Sequence, residues 1–483
     1  MKTLFTGFCM FALFTNSYGS GPYQATGIKI CEVDQTSAIV WVRLTRDPQR
    51  MDKSHPRPTV RYRNPETGEL ERRQGRRSLK PVVLFPDGSD IYTIEGAVPG
   101  TLGDVRVRYA VEMSDDWKST PWGAVDPDRD FTRQIKLTDL KPGTRYQIEV
   151  QARAETDGQT VSGRFRTAPS EDQSARVVFH VSTCQAYGDQ DAPEGGYRIY
   201  ASILKRDPDF FVHAGDIVYY DSRAKNLSLA RWHWARMYSL PTNVAFHREV
   251  ASYFLKDDHD TWMNDCWPGQ QTVFMGEFTF EQGLAVFREQ VGMSDRTYRT
   301  VRWGKDLQIW MVEGRDFRSP NTMADGPEKT IWGREQKAWF KDTVRASDAA
   351  FRILISPTPV VGPDRSGKKD NHANKVFSYE GNELRQFIAG QKNMVVVCGD
   401  RHWQYVSVDE KTGVREYSCG PASDEHAGGW SNDKRLPEHR YLNVIGGFLE
   451  GVVDRENNIP VLIFRHFGVD GNLLNEDRLV AQQ

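Results

Sequence analysis

Six residues of metal-binding type, Cys184, Asp216, Tyr219, Asp258, Asp400 and His402, lie at or just past the ends of apolar runs. "ARVVFHVSTC" ends at Cys184, "DFFVHAGD" at Asp216, "ASYFLKDDHD" passes through Asp258 and His259, and "NMVVVCGDRH" closes on Asp400 and His402. A fifth run, "DLQIWMVEGRD", delivers Arg315. A thiolate, a phenolate and an imidazole suit a transition metal with Lewis acidity, ferric iron or zinc. Asp258 and Asp400 offer only oxygen, which suits a hard divalent ion such as calcium. Asp216 has two carboxylate oxygens and is placed to bridge both. Two cations about 3.5 to 4 Å apart clamp a phosphoryl group and hold a hydroxide for in-line attack. One Asp after a strand says little, because Asp also caps helices and opens turns, and one Cys packs as a small hydrophobe. Five such endings are harder to assign to capping. Asp257 and Asp260 of "DDHD" would add too much charge as further ligands and are expected to support the others.

Strands must put these groups on one rim. From "ARVVFHVSTC" onward, apolar strand-like runs alternate with helical stretches at residues 196–206, 229–238, 280–290 and 334–345, an α/β order. In open α/β sheets, sites form beyond the carboxyl ends of strands. Later strands near 440–454 and 460–467 are expected to complete a second sheet. Residues 28–167 instead show period two: Val105, Val107, Tyr109, Val111 and Met113 alternate with polar residues, as do Tyr146, Ile148, Val150 and Ala152. That is the pattern of a β-sandwich. "LTDLKPGTRYQIEVQARA" resembles the late strands of fibronectin type III domains, with Leu140, Pro142 and Tyr146 at the spacing of their tyrosine corner, and the resemblance implies seven strands. The expected organisation is a signal peptide over 1–20, a fibronectin type III-like sandwich over 21–170 and a catalytic domain over 175–483. Arg72, Arg73, Arg76, Arg77 and Lys80 read as a solvated hairpin within the sandwich.

The chain has 483 residues, a net charge of -2 and 27% charged residues, so no nucleic-acid or anionic-membrane partner is implied by charge. Met1-Lys2, then "LFTGFCMFALF" and "TNSYGSG", has the parts of a secretory leader, too short to span a membrane. The expected location is therefore secreted or periplasmic, with no membrane span after leader cleavage. Cys31, Cys184, Cys266, Cys398 and Cys419 remain, an odd number that cannot all pair in an oxidising compartment.

"STCQ" at 182–185, "HAGDIVYY" at 213–220, "KDDHD" at 256–260 and "CGDRH" at 398–402 look like the motifs of the alkaline phosphatase D family of calcineurin-like metallophosphatases, in that order. The resemblance implies a metallophosphatase sandwich of β-sheets flanked by helices, preceded by a β-sandwich. It implies ferric iron held by Cys184, Asp216, Tyr219 and His402, and calcium held by Asp216, Asp258 and Asp400, with Asn264 as a further contributor; zinc or another divalent ion is the alternative. It casts His259 as the group that binds phosphate or protonates the departing alkoxide, Arg315 as a phosphate clamp and Arg401 as the second choice for that clamp. The substrate would be a phosphate mono- or diester, hydrolysed by a metal-bound hydroxide. The leader lacks the twin arginines common in the family, Asp260 replaces a usual Glu, and "SCGPASDEHAGGW" is unfamiliar, being either a Gly-rich surface loop or a segment whose His426 faces substrate. Two other functions fit the sequence: a secreted binding protein on an inactive phosphatase scaffold, and a thiol hydrolase with Cys184 as nucleophile.

Overall fold

The apolar runs of the second half form the centres of two mixed sheets. The structure, a computed structural model, describes residues 21–72, 78–86 and 88–482; the expected leader, and Arg73, Arg76 and Arg77 of the basic cluster, lie outside the described residues. The first sheet has nine strands in the order Leu473–Val480, Ile459–Phe467, Phe448–Glu456, Val177–Ser182, Phe210–Ala214, Ala251–Leu255, Ile28–Cys31, Ala38–Arg43 and Thr132–Leu137. The second has seven: Arg299–Trp303, Leu307–Met311, Phe351–Ser356, Met394–Cys398, Arg415–Cys419, Gln404–Val408 and His439–Asn443. Val177–Ser182, Phe210–Ala214 and Met394–Cys398 are buried at every position. Burial on both faces explains why they read as unbroken apolar runs.

Alternate side chains of these strands enter different cores. Phe210 and Val212 pack with Ile353 and Val397 between the two sheets. Phe211, pointing the other way, packs with Trp234 and Phe246 of the helices Leu227–Tyr238 and Pro241–His247. Val396 packs with Phe340 and Leu384 of the helices Gly333–Ala346 and Ser378–Ala389. The result is two facing sheets with helices outside each.

The later strands divide differently from the expectation that they complete a second sheet. His439–Asn443 joins the second sheet, but Phe448–Glu456 and Ile459–Phe467 return to the first, antiparallel beside Val177–Ser182. Without them that fully buried strand would be an apolar edge with unpaired backbone groups.

The N-terminal region is a sandwich of Ile28–Cys31, Ala38–Arg43 and Thr132–Leu137 against a sheet built on Asp157–Arg166, Arg145–Arg153 and Asp104–Val111. Its tyrosine corner is present, the Lys141 N–H donating to the Tyr146 hydroxyl at 2.8 Å. Met113 lies past the end of the alternating strand and is 96% exposed. The sandwich is not a separate body: Ile28–Cys31 pairs in parallel with Ala251–Leu255 at Cys31 and Ser252, so its inner sheet is continuous with the buried strands of the first sheet.

Candidate metal centre

Three of the strands that feed the site lead into a left-handed residue. Cys184 (φ 53°), Asp216 (φ 57°) and Asp400 (φ 60°) adopt positive φ, which costs a residue with a Cβ on the order of 1–2 kcal/mol. Hydrogen bonds hold the turns together: the Cys184 N–H donates to the Gly215 carbonyl at 3.1 Å and the Gln185 N–H to the Asp216 carbonyl at 3.0 Å. The glycine of each Gly-Asp pair is required by proximity. A Cβ on Gly399 would stand 2.2 Å from the Ala214 carbonyl oxygen, and one on Gly215 would stand 2.9 Å from Asp257 Cβ. Gly399 thus lets a strand end of the second sheet close onto the first, and brings Asp400 and His402 to the same rim as Cys184 and Asp216.

Donor atoms of Cys184, Asp216 and His402 lie within 4.8 Å of one another, as do those of Asp216, Asp258 and His259, and those of Asp216, Asp257 and Asp400. The Tyr219 hydroxyl is 3.4 Å from Asp216 Oδ2, and so is Cys184 Sγ. The structure therefore brings all six expected ligands into one cluster with Asp216 at its hub, Tyr219 and His402 being only half-buried. Asp257 is more than a supporting residue: its Oδ1 accepts from Arg315 Nε at 2.6 Å, while its Oδ2 is buried without a hydrogen-bond partner, as is Asp216 Oδ1. Asp260 does support the others, accepting from the N–H groups of Ile217 and Asp257 at 2.8 and 2.6 Å.

Unpartnered carboxylate oxygens that are themselves buried are costly without a cation. Burial pushes the Asp216 carboxyl up to about 6, with Asp258 adding to the shift and the positive His259 opposing it. The donor set fits two kinds of ion, sulfur, phenol and imidazole on one side of Asp216 and carboxylates on the other. Cys184 is wholly buried, and burial followed by the Asp216 charge raises its thiol well above the ordinary value. A buried neutral thiol is a poor nucleophile, which disfavours the thiol-hydrolase reading.

His259 Nδ1 lies 2.5 Å from Asp221 Oδ2, and its ring leans on Tyr219 with centroids 4.4 Å apart. Burial opposes a charge on this imidazole, but the carboxylates of Asp221, Asp258 and Asp216 outweigh it and raise the pKa well above the ordinary value. Nδ1 of His259 is thus occupied by Asp221. Asn264 lends its backbone N–H to Asp221 Oδ1 at 2.8 Å.

Both candidate clamp arginines are wholly buried against carboxylates. The Arg315 side chain is 0% exposed and its Nε and Nη2 pair with Asp257 and Asp370, the latter at 3.2 Å, while Nη1 has no hydrogen-bond partner. Arg401 is equally buried, against Asp364 and Asp400. Both neutralise carboxylates beneath the pocket. His426 does reach the site: Nε2 lies 2.8 Å from the Tyr219 hydroxyl, Nδ1 2.7 Å from Asp189 Oδ2, and its ring 4.2 Å from that of His402. Sequence reasoning gave no role to Asp189, Asp221 or Asp370. Asp221 had a signal, five residues beyond Asp216 in the same motif; Asp370, grouped with Asp258 and Asp265, comes from "RSGKKDNHAN", to which no apolar run leads.

Two facing sheets flanked by helices, with sulfur, phenol, imidazole and carboxylate donors converging where strands end, define a metallophosphatase. Residues 179–441, more than half of the chain, match the family described as PhoD-like phosphatase, and the chain belongs to that family. A solved structure of PhoD is similar over 97% of this chain and 94% of its own, at 16% identity and a TM-score of 0.70. A purple acid phosphatase from yellow lupin (Lupinus luteus) seeds is similar over 94% of this chain and 74% of its own, at 11% identity and a TM-score of 0.63. At these identities the likeness speaks for the fold. No curated protein sequence matches the chain.

Proposed function

We propose that this phosphoesterase is an exported, metal-dependent enzyme that hydrolyses phosphate mono- or diesters, with ferric iron at Cys184, Asp216, Tyr219 and His402 and calcium at Asp216, Asp258 and Asp400. The observation that carries the reading is the convergence of these groups on Asp216, one of whose carboxylate oxygens is buried without a hydrogen-bond partner. Export is supported by the leader-like residues 1–20. The bound cations supply the charge that activates water and offsets the developing charge on phosphoryl oxygens. The chain's own residues do the rest. Asp221 fixes the His259 ring through Nδ1, leaving Nε2 to donate a proton to the departing ester oxygen. Arg315 and Arg401 pair with the carboxylates of Asp257 and Asp400 and hold them in place.

Elemental analysis of the purified protein, beside its rates on 4-nitrophenyl phosphate and bis(4-nitrophenyl) phosphate, tests the reading. Iron and calcium at stoichiometric levels, with turnover lost on chelation, are expected. Metal-free protein that still turns over either ester would overturn it, and zinc in place of iron would correct the metal.

A further inference from the structure

The strand Thr59–Arg63, inserted between two strands of the sandwich, lies against the loop that carries the support of the catalytic histidine. Between them is a cleft of about 370 Å³ lined by Arg61, Arg72, Arg223, Ser222, Thr59 and Tyr62. Ser222 and Arg223 directly follow Asp221, and the chain folds back at that point, the Arg223 N–H donating to the Tyr220 carbonyl at 3.1 Å. Two residues that line the cleft therefore directly follow, along the chain, the carboxylate that holds His259.

Among the described residues, Arg61, Arg72 and Arg223 form no ion pair. Arg61 donates to the neighbouring Val60 carbonyl at 3.5 Å and Arg223 to the Pro58 carbonyl at 3.3 Å. Nearby Glu95 is already occupied by Arg50 and Arg57, each at 3.1 Å. Burial, then the charges of Arg57 and Arg72, lower the Arg223 pKa. Unpaired guanidinium groups around one cleft repel one another and form a fork-shaped donor set matched to phosphate or sulfate. Arg315 and Arg401, by contrast, are wholly buried against carboxylates.

We propose that the cleft is an anion subsite for a second phosphate, so that the preferred substrate is an ester carrying at least two phosphate groups. The proposal rests on the phosphoesterase reading above and deepens it. Thymidine 5′-(4-nitrophenyl phosphate), with and without a 3′-phosphate, isolates the remote group, and 4-nitrophenyl phosphate reports basal activity.

The metal-loaded wild type should prefer the 3′-phosphorylated ester in kcat/KM by about tenfold. The R61Q/R223Q variant should bring that ratio close to one with 4-nitrophenyl phosphate turnover unchanged, and R61K/R223K should keep most of the preference. Calorimetry with inositol hexasulfate, which is not a phosphate ester, reads the cleft without catalysis, and its Kd should weaken about tenfold in R61Q/R223Q. No preference in the wild type, whether both diesters are cut equally or neither is cut while 4-nitrophenyl phosphate is, overturns the proposal. So does a preference that survives R61Q/R223Q. Hexasulfate binding that is lost in the variant while the diester ratio stays fixed overturns the substrate role in favour of a free-anion site. If no ester is hydrolysed, the phosphoesterase reading fails and calorimetry alone decides whether the anion site exists.

Discussion

The hub is a single carboxylate held in a strained turn, and its neighbours divide into groups that touch the pocket and groups that hold those groups still. Asp221 is of the second kind. Asp221→Asn keeps the shape but removes the charge that fixes the His259 ring at 2.5 Å. The expected result is a fall in kcat of about 10²-fold on esters with poor leaving groups, with little change in metal content by elemental analysis. Loss of metal in step with activity would place Asp221 among the determinants of the ligand set. Arg315 separates the same two roles by a different measurement. As a wholly buried partner of Asp257 and Asp370, its replacement by Met should destabilise the fold by about 3–5 kcal/mol, because buried charges are left uncompensated. A substrate clamp would instead raise KM with the denaturation midpoint unmoved.

At the scale of elements, the strands with their Gly-Asp turns were legible because burial on both faces writes itself as an apolar run and the left-handed turn needs a small neighbour. The helix Phe280–Gln290 was equally legible, opened by the capping box of Thr279 and Gln282. Two helices were not. Pro241–His247 is seven residues long, too short to show a period. Ser378–Ala389 has no side-chain cap and carries Gly381 inside it, where a Cβ would stand 2.3 Å from the His372 carbonyl oxygen. Strand partners were also hidden, since an apolar run announces a strand but not its neighbour, and so 448–456 and 459–467 were assigned to the wrong sheet. The uncapped helix is anchored instead by Glu380, which accepts from the Ile331 N–H at 2.5 Å, the Thr330 hydroxyl and His372, 2.9 Å away. Burial opposes the Glu380 charge, but these bonds, His372 first, lower its pKa to about 2. A carboxyl depressed in the folded state adds stability above its unfolded value near 4.5, and that stability is lost as pH falls toward 2. Wild type should lose roughly 2–3 kcal/mol through this window from Glu380 alone. Glu380→Gln should be less stable at pH 7, and its stability should depend less on pH between 4.5 and 2, as read by urea unfolding at several pH values.

Across the whole molecule the sequence periods divide the chain near residue 170, yet the packing crosses that line. Ile28, Ile30, Val40 and Val42 of the sandwich share one apolar core with Phe179, Val212 and Ile353 of the catalytic region. Lys29 is buried over the Trp41 and Tyr238 rings, 3.2 and 4.0 Å from their centroids, and donates to the Gln290 carbonyl at 2.9 Å. Trp41 Nε1 donates to the Glu289 carbonyl at 2.8 Å. A periodicity reading cannot see this, because period reports what each strand does alone and not which sheet it extends. Removing residues 21–168 would uncover the Ala251–Leu255 strand, which is buried at every position, and convert it into an apolar sheet edge. A fragment starting at residue 169 should therefore aggregate or lack near-ultraviolet circular dichroism and fail to hold iron, whereas the full chain should unfold in one cooperative transition. A soluble fragment with a sharp transition and bound metal would mean that the sandwich is an attachment and that the shared sheet contributes little to the catalytic fold.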